Sequence, residues 1–301
     1  MSTAVYPPLP PDQLFQEEND SASRELEWLL VSMQETLASL RLGLEECVTL
    51  LEPTEPGCKL VLSSHRSESL KGTITRVGTR IVACDVHVKM YGLAPTKGLP
   101  CYKLALGTDN SEGCLVLDQL AEVRNLVNQS LDVVDVSTWT GDPKDANFIS
   151  GQLRLLYDNV QEARQKLKAA DESKLFPHNP VDSRVFDPSL PENLSFDLSI
   201  SDASLRVELR TLEPINHVDT LSNFGFQRLA AAIGAARKPE HDESNEVFNY
   251  RGVDVRVGAK VRVESADPSL IALTAKLGAL EHSVSLSRKA LDIVMGRDDV
   301  E

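Results

Sequence analysis

Histidine, cysteine and paired carboxylates carry most of the proton, metal and nucleophile chemistry of soluble proteins. The six histidines here are His65, His87, His178, His217, His241 and His282, and none has neighbours at metal-ligand spacing. His87 falls on the polar face of a strand pattern, where an imidazole is solvated or structurally hydrogen-bonded. Gly92 to Gly98 contains Lys97 but lacks the Gly-Lys-Ser/Thr order of a phosphate loop. Gly107 to Gly113 carries Asp109 and Glu112 at the wrong spacing for a calcium loop, so a hairpin turn is expected. There is no Gly-x-Ser-x-Gly elbow and no evident Cys–His pairing. The sequence therefore leads us to expect no catalytic residue, no bound cofactor and no metal site.

Five cysteines, Cys47, Cys58, Cys84, Cys101 and Cys114, lie far apart with no Cys-x-x-Cys. An odd count without pairing motifs predicts free thiols in a reducing compartment. The net charge of −14 excludes nucleic acid as the main partner, because phosphate binding needs a positive footprint. No signal-peptide pattern and no run of about 18 apolar residues occur, so a cytoplasmic protein without direct membrane insertion is expected.

The elements that would position any site come next. From Ser23 to Leu51 the apolar residues Leu26, Leu30, Met33, Leu37, Leu40, Leu44, Cys47 and Leu51 alternate in steps of four and three. This is a heptad seam on a helix about 42 Å long. Ahead of it, residues 1–22 are Pro-rich and then acidic, predicting a disordered arm. A second helix is expected over about Leu115 to Val136, and a third over about Asp145 to Ala170 with the seam Ile149, Leu153, Leu156, Val160, Ala163, Leu167. The last helix has Asp267 as its cap, Pro268 at its first position and Gly296 as its stop. Its seam is Leu270, Leu273, Leu277, Leu280, Val284, Ser287, Leu291, Val294.

Strands are predicted over Lys59–Leu62, Leu70–Arg76, Arg80–Met90 and Cys101–Leu106. In the third of these, Val82, Cys84, Val86, Val88 and Met90 share the face expected to be buried. Leu194 to Ile200 and Leu205 to Leu209 flank a tight turn at Ser201-Asp202-Ala203-Ser204, the clearest hairpin in the chain. A second hairpin joins Val247–Tyr250 to Val253–Val263 near Gly252. Between the two, Leu229 to Ala236 reads as a short helix and Arg237 to Asn245 as a polar loop.

The expected fold class is α+β: an antiparallel four-helix bundle of long heptad-patterned helices, with a smaller antiparallel β domain at one end. Residues 23–52, 115–172 and 267–297 would form the bundle, and 57–114 and 177–266 the β domain. One local feature points to an interaction. Arg206, Arg210, Arg256, Lys260 and Arg262 make the outward faces of the second β region rich in cations within an acidic protein. They form either a solvated face that discourages edge pairing or a docking patch for an acidic partner.

Several strings resemble the Rogdi family. They are Glu25-Leu26-Glu27-Trp28-Leu29-Leu30, Leu70-Lys71-Gly72-Thr73-Ile74-Thr75, Ala83-Cys84-Asp85-Val86-His87-Val88-Lys89-Met90 and Leu190-Pro191-Glu192-Asn193-Leu194. The resemblance covers 24–213 and 247–296. It implies a two-domain fold of helical bundle and β domain, and a non-enzymatic role. The yeast counterpart of that family is the second subunit of RAVE, a regulator of the proton-pumping ATPase of vacuoles and endosomes. The implied partners are a large WD-repeat subunit and the peripheral sector of the pump. The chain would be monomeric within such a hetero-complex and recruited peripherally to vacuolar and endosomal membranes. Two other readings compete on sequence alone: a self-associating leucine-zipper regulator unrelated to the pump, and a hydrolase or transferase whose site is unrecognised.

Overall fold

The computed structural model describes residues 10–65, 69–107, 114–141, 145–215 and 241–297. The short helix expected at 229–236, the acidic loop residues Asp109 and Glu112, His217 and the first nine residues of the arm lie outside them. The element order is α1 (Pro11–Leu50), β1 (Cys58–Ser63), β2 (Leu70–Val77), β3 (Arg80–Val88), β4 (Tyr102–Ala105), β5 (Leu115–Val116), α2 (Asp118–Ser137) and α3 (Ala146–Lys168). It continues with β6 (Leu194–Ser201), β7 (Ser204–Pro214), β8 (Val247–Tyr250), β9 (Val253–Ala266) and α4 (Pro268–Val294).

The described chain divides into two compact units. One takes the chain up to Thr49, with Asn125–Ala163 and the chain from Ala275 onward. Its apolar interior comes from the stripes that the periodicity marks: Leu30, Met33, Leu37, Leu40, Leu44 and Cys47 of α1, with Ile149, Leu153, Leu156 and Val160 of α3 and Leu277, Leu280, Val284 and Leu291 of α4. Polar contacts join its helices at the edges. Arg41 meets Asp135 at 3.1 Å, the Ser150 hydroxyl donates to Asp292 at 3.2 Å, and Lys276 pairs with Glu46.

The other unit, Leu50–Arg124 with Arg164–Thr274, carries the sheets. One sheet runs β1-β2-β3-β4 with β5 pairing β3, and the other runs β6-β7-β9-β8. All neighbouring strands are antiparallel. The hairpin between β6 and β7 turns through Asp202 (φ 46°) and Ala203 (φ 58°), the double positive φ that matches the twist of the flanking strands. The Gln119 side chain replaces a strand neighbour on the free edge of β6. Its amide nitrogen donates to the Ile200 carbonyl at 3.0 Å and the Lys166 carbonyl at 2.8 Å, and its oxygen accepts from the Ile200 N–H at 2.7 Å.

The four-helix bundle with a smaller β domain at one end is not the architecture found. The described residues form four helices and two antiparallel sheets with nine strands, so the class is mixed α+β without a bundle of long helices. Only α1, with 40 residues, is long; α2 has 20. The two sheets do share one compact unit, but it is the larger of the two rather than a small cap, with β7 and β9 reaching 11 and 14 residues. The physical reason is that a four-and-three seam reports a buried stripe but not what covers it.

Two local differences have simple causes. Helix α1 starts at Pro11, inside the stretch expected to be a disordered arm and well before Ser23, because Asp12 to Ala22 contains no helix breaker. On β3, Val82 is exposed and Ile81 buried, contrary to strict alternation. The register skips a residue here, pairing Thr75 with Ala83 but Arg76 with Ile81, so a bulge shifts the inward set by one.

Candidate functional site

Strand alternation and register decide where the five cations of the expected patch stand. On β7 and β9 the pairs are Arg206 with Glu264, Glu208 with Arg262 and Arg210 with Lys260. Two of these place opposite charges across from each other. The third sets two cations side by side, a repulsive pair in isolation. Glu243, from the segment just before β8, resolves it. Its carboxylate accepts from Arg210 Nε at 2.8 Å and Arg210 Nη2 at 3.0 Å, and from Lys260 Nζ at 2.6 Å. Asp242 adds a second acceptor for Lys260 at 2.8 Å.

Arg210 is the centre of this lattice and is buried. Beyond Glu243 it donates to Asp197 of β6 at 2.9 Å and to Glu208 at 2.7 Å, while its guanidinium lies 4.8 Å from the centre of the Phe176 ring. Phe176 packs edge-on against Phe248 and beside Tyr250, and its N–H donates to Asp197 at 3.1 Å. A bidentate fork with a flat cationic face suits such a position; an ammonium would not.

The charges tune one another. Burial pushes the Glu243 carboxyl up, but the hydrogen bonds from Arg210 and Lys260 outweigh it and hold the group below the usual carboxylate range. Burial would lower Arg210, yet Glu243, Asp197 and Glu208 together raise it. Lys260 is raised in the same way by Asp242 and Glu243. Asp197 goes the other way: desolvation pushes its carboxyl up more than Arg210 and the Phe176 N–H pull it down. Glu264 is lowered chiefly by the hydrogen bond from Arg262.

The structure thus brings four of the five cations together and leaves one apart. Arg206, Arg210, Lys260 and Arg262 face the carboxylates of Asp197, Glu208, Asp242, Glu243 and Glu264. Arg256 lies past an irregularity between Thr211 and Leu212, where it pairs with Glu213, out of step with the alternation that carries Glu208 and Arg210. Chemically the lattice is a neutralised clamp that fastens the 241–246 segment to the sheet. The cations with substantial solvent exposure are Arg256 and Arg262.

One pairing escaped the sequence. Cys101 Sγ lies 3.4 Å from His87 Nδ1, beside the register pair His87–Lys103 of β3 and β4. The expectation of no Cys–His pairing is corrected here, since only the strand register brings the two together. The spacing of 14 positions carries no motif. Among the described residues no group of three or more metal-ligating side chains converges, and no helix is long and apolar enough to cross a membrane.

Comparison with known proteins places the chain. The sequence is 24% identical over 296 residues to a fission-yeast (Schizosaccharomyces pombe) protein called regulator of V-ATPase in vacuolar membrane protein 2. The match covers 87% of this chain and 90% of that protein. The family described as Rogdi leucine zipper containing protein matches residues 25–292, which include all the sheet strands and most of α1 and α4. With nearly its whole length so matched, the chain belongs to the Rogdi leucine zipper family.

Proposed function

We propose that this chain is a non-enzymatic regulator of a vacuolar-type proton-pumping ATPase. It would act as an adaptor subunit of a RAVE-like complex that helps rejoin the peripheral, ATP-hydrolysing sector of the pump to its membrane sector. The observation that carries this reading is the end-to-end likeness to a protein named as a V-ATPase regulator. The fold is compatible with it: a clamp such as Arg210–Glu243–Lys260 stiffens a surface and neutralises its own charges. Its work would be positioning. A large WD-repeat subunit and the peripheral sector are the partners, met at vacuolar and endosomal membranes from the cytoplasmic side. Arg262 on the cation-rich face and Arg256, exposed beyond the irregularity, are the docking contacts for an acidic partner surface, while Arg206, Arg210 and Lys260 hold the face in shape.

The test is a pull-down of the tagged full-length chain from cells lacking their own copy, with vacuolar acidification followed in parallel. Recovery of a WD-repeat protein or pump subunits together with restored acidification is the expected result. Restored acidification without either partner, or neither effect, would overturn the adaptor role. Arg256→Ala with Arg262→Ala should weaken partner recovery, while the loss of the exposed Arg262 pairs lowers stability by no more than about 1 kcal/mol.

A further inference from the structure

Helix α1 is covered along only part of its length. Its buried residues begin at Leu30, and every residue from Pro11 to Glu25 is exposed. The apolar stripe does not stop where burial stops. Counting back from Met33 at helical steps, Leu29 and Leu26 are half-buried, Ala22 is exposed and Phe15 is 74% exposed. Steps of four, three, four and seven keep these residues within about 40° of one line on a helix of 3.6 residues per turn. The stripe that is buried from Leu30 onward is therefore half-covered at Leu29 and Leu26 and open at Ala22 and Phe15, with Glu18 and Asn19 between those last two.

The charge around this stripe is one-sided. Asp12, Glu17, Glu18, Asp20, Glu25 and Glu27 stand against the single cation Arg24, and the stretch has no lysine. None of these six carboxylates forms an ion pair with a described residue. A second copy of this rod would bring carboxylates against carboxylates in either orientation, which penalises self-pairing. An anionic lipid surface is disfavoured for the same reason. The complement is a helix with its own apolar seam and Lys or Arg on the flanks.

We infer that Pro11–Leu29 of α1 is a docking face for a basic amphipathic helix of a partner protein. The inference goes beyond the regulatory reading above and does not depend on it, since residues 11–24 lie outside the stretch matched by the family.

The probe is a fluorescein-labelled synthetic helix with leucine at heptad core positions and lysine at the flanks. Its control has glutamate at those flanks. Anisotropy is read against the full-length chain at low salt. The lysine peptide should bind at least about tenfold more tightly than the glutamate peptide, a gap of about 1.4 kcal/mol. A general attraction to an acidic protein is separated by the variant Phe15→Asp/Ala22→Asp. Both sites are exposed, so helix content by circular dichroism should be unchanged. This variant is more acidic, so non-specific attraction would hold or grow, whereas docking on the stripe should weaken about tenfold. Three results would overturn the proposal: equal binding of the two peptides, undiminished binding by the variant, or a wild-type dimer in sedimentation that Phe15→Asp dissociates.

Discussion

Arg76 Nε donates to Asp267 Oδ2 at 2.6 Å across 191 positions of sequence, with both side chains buried. Asp267 is also the cap of α4, its Oδ1 accepting from the Ser269 and Leu270 N–H groups at 3.0 and 3.4 Å. Arg76 in turn donates to the Gly78 carbonyl and, at 3.1 Å, to the Ser269 hydroxyl. One carboxylate therefore both starts the last helix and ties it to β2.

Removing one partner of such a buried pair strands the other, which costs about 3–5 kcal/mol. Asp267→Asn should lower stability to urea at pH 7 by that amount, and Arg76→Met with Asp267→Asn by less than the sum of the single changes. Burial would raise the Asp267 carboxyl, but Arg76 and the cap hydrogen bonds hold it below the ordinary aspartate value. Its stabilisation is then fully present above that value and disappears as pH falls through the lower folded value. The gap between wild type and Asp267→Asn should stay constant from neutral pH down to about 4 and close below it. A gap that closed between pH 5 and 7 would contradict the pairing.

How far the residues alone announce this structure can be judged from the same pair. Asp267-Pro268 declares a helix start by local chemistry, and Leu194 to Leu209 declares a hairpin by period two. Both are short-range signals that the chain cannot hide. The partner of Asp267 is a non-local fact, as is the meeting of Cys101 with His87 or of Glu243 with Arg210. The Cys101–His87 meeting depends on strand register and the other two on how distant segments fold together, and no pattern along the chain encodes either. The five cations were visible as a cluster of types, but not their neutralisation, because Asp242 and Glu243 approach from outside the strands. The misjudged architecture has a related cause. A heptad seam specifies its own buried side and not the elements that cover it.

Glu243 separates two cations that the register places opposite each other. Glu243→Gln keeps the shape but removes the charge, and should cost about 1.5–3 kcal/mol in thermal or urea unfolding at pH 7. Its folded carboxyl is held below the usual carboxylate range, so this contribution is full at neutral pH and fades only as pH falls through that lowered value. Asp197 has the opposite sign. Its carboxyl is raised by burial, so the folded state gains relative stability from this group as pH falls through the raised value. Asp197→Asn should therefore destabilise less than Glu243→Gln at pH 7, a ranking that a pair of denaturation curves checks.

The five cysteines should divide by reactivity. Burial pushes the Cys47 thiol up to about 11 and the Cys84 thiol up to about 12. At pH 8 fewer than about one in a thousand of either is ionised, so both should resist alkylation until the protein unfolds. Cys58 is raised by burial as well and should react slowly. Cys101 and Cys114 are free and only half-buried, so both should label well before the buried thiols, as read by mass spectrometry of alkylated peptides.

Gly43 and Leu280 make the closest test of packing between α1 and α4. A Cβ built on Gly43 would sit 2.8 Å from Leu280 Cδ2, with no other atom among its three nearest neighbours but those of the Leu280 side chain. Gly43→Ala therefore sets a helix-propensity gain of up to about 1 kcal/mol against a contact that a leucine tip can yield, and should change stability little. Gly43→Leu has no such escape and should cost about 1–3 kcal/mol by overpacking. Leu280→Ala should cost about 2–5 kcal/mol, because the side chain is nearly buried and leaves a cavity. The two losses should not add. In Gly43→Leu with Leu280→Ala the new side chain enters the space the old one leaves, so the double variant should be more stable than the sum by about 0.5–3 kcal/mol. Strict additivity in urea unfolding would mean that the two helices do not touch at this point.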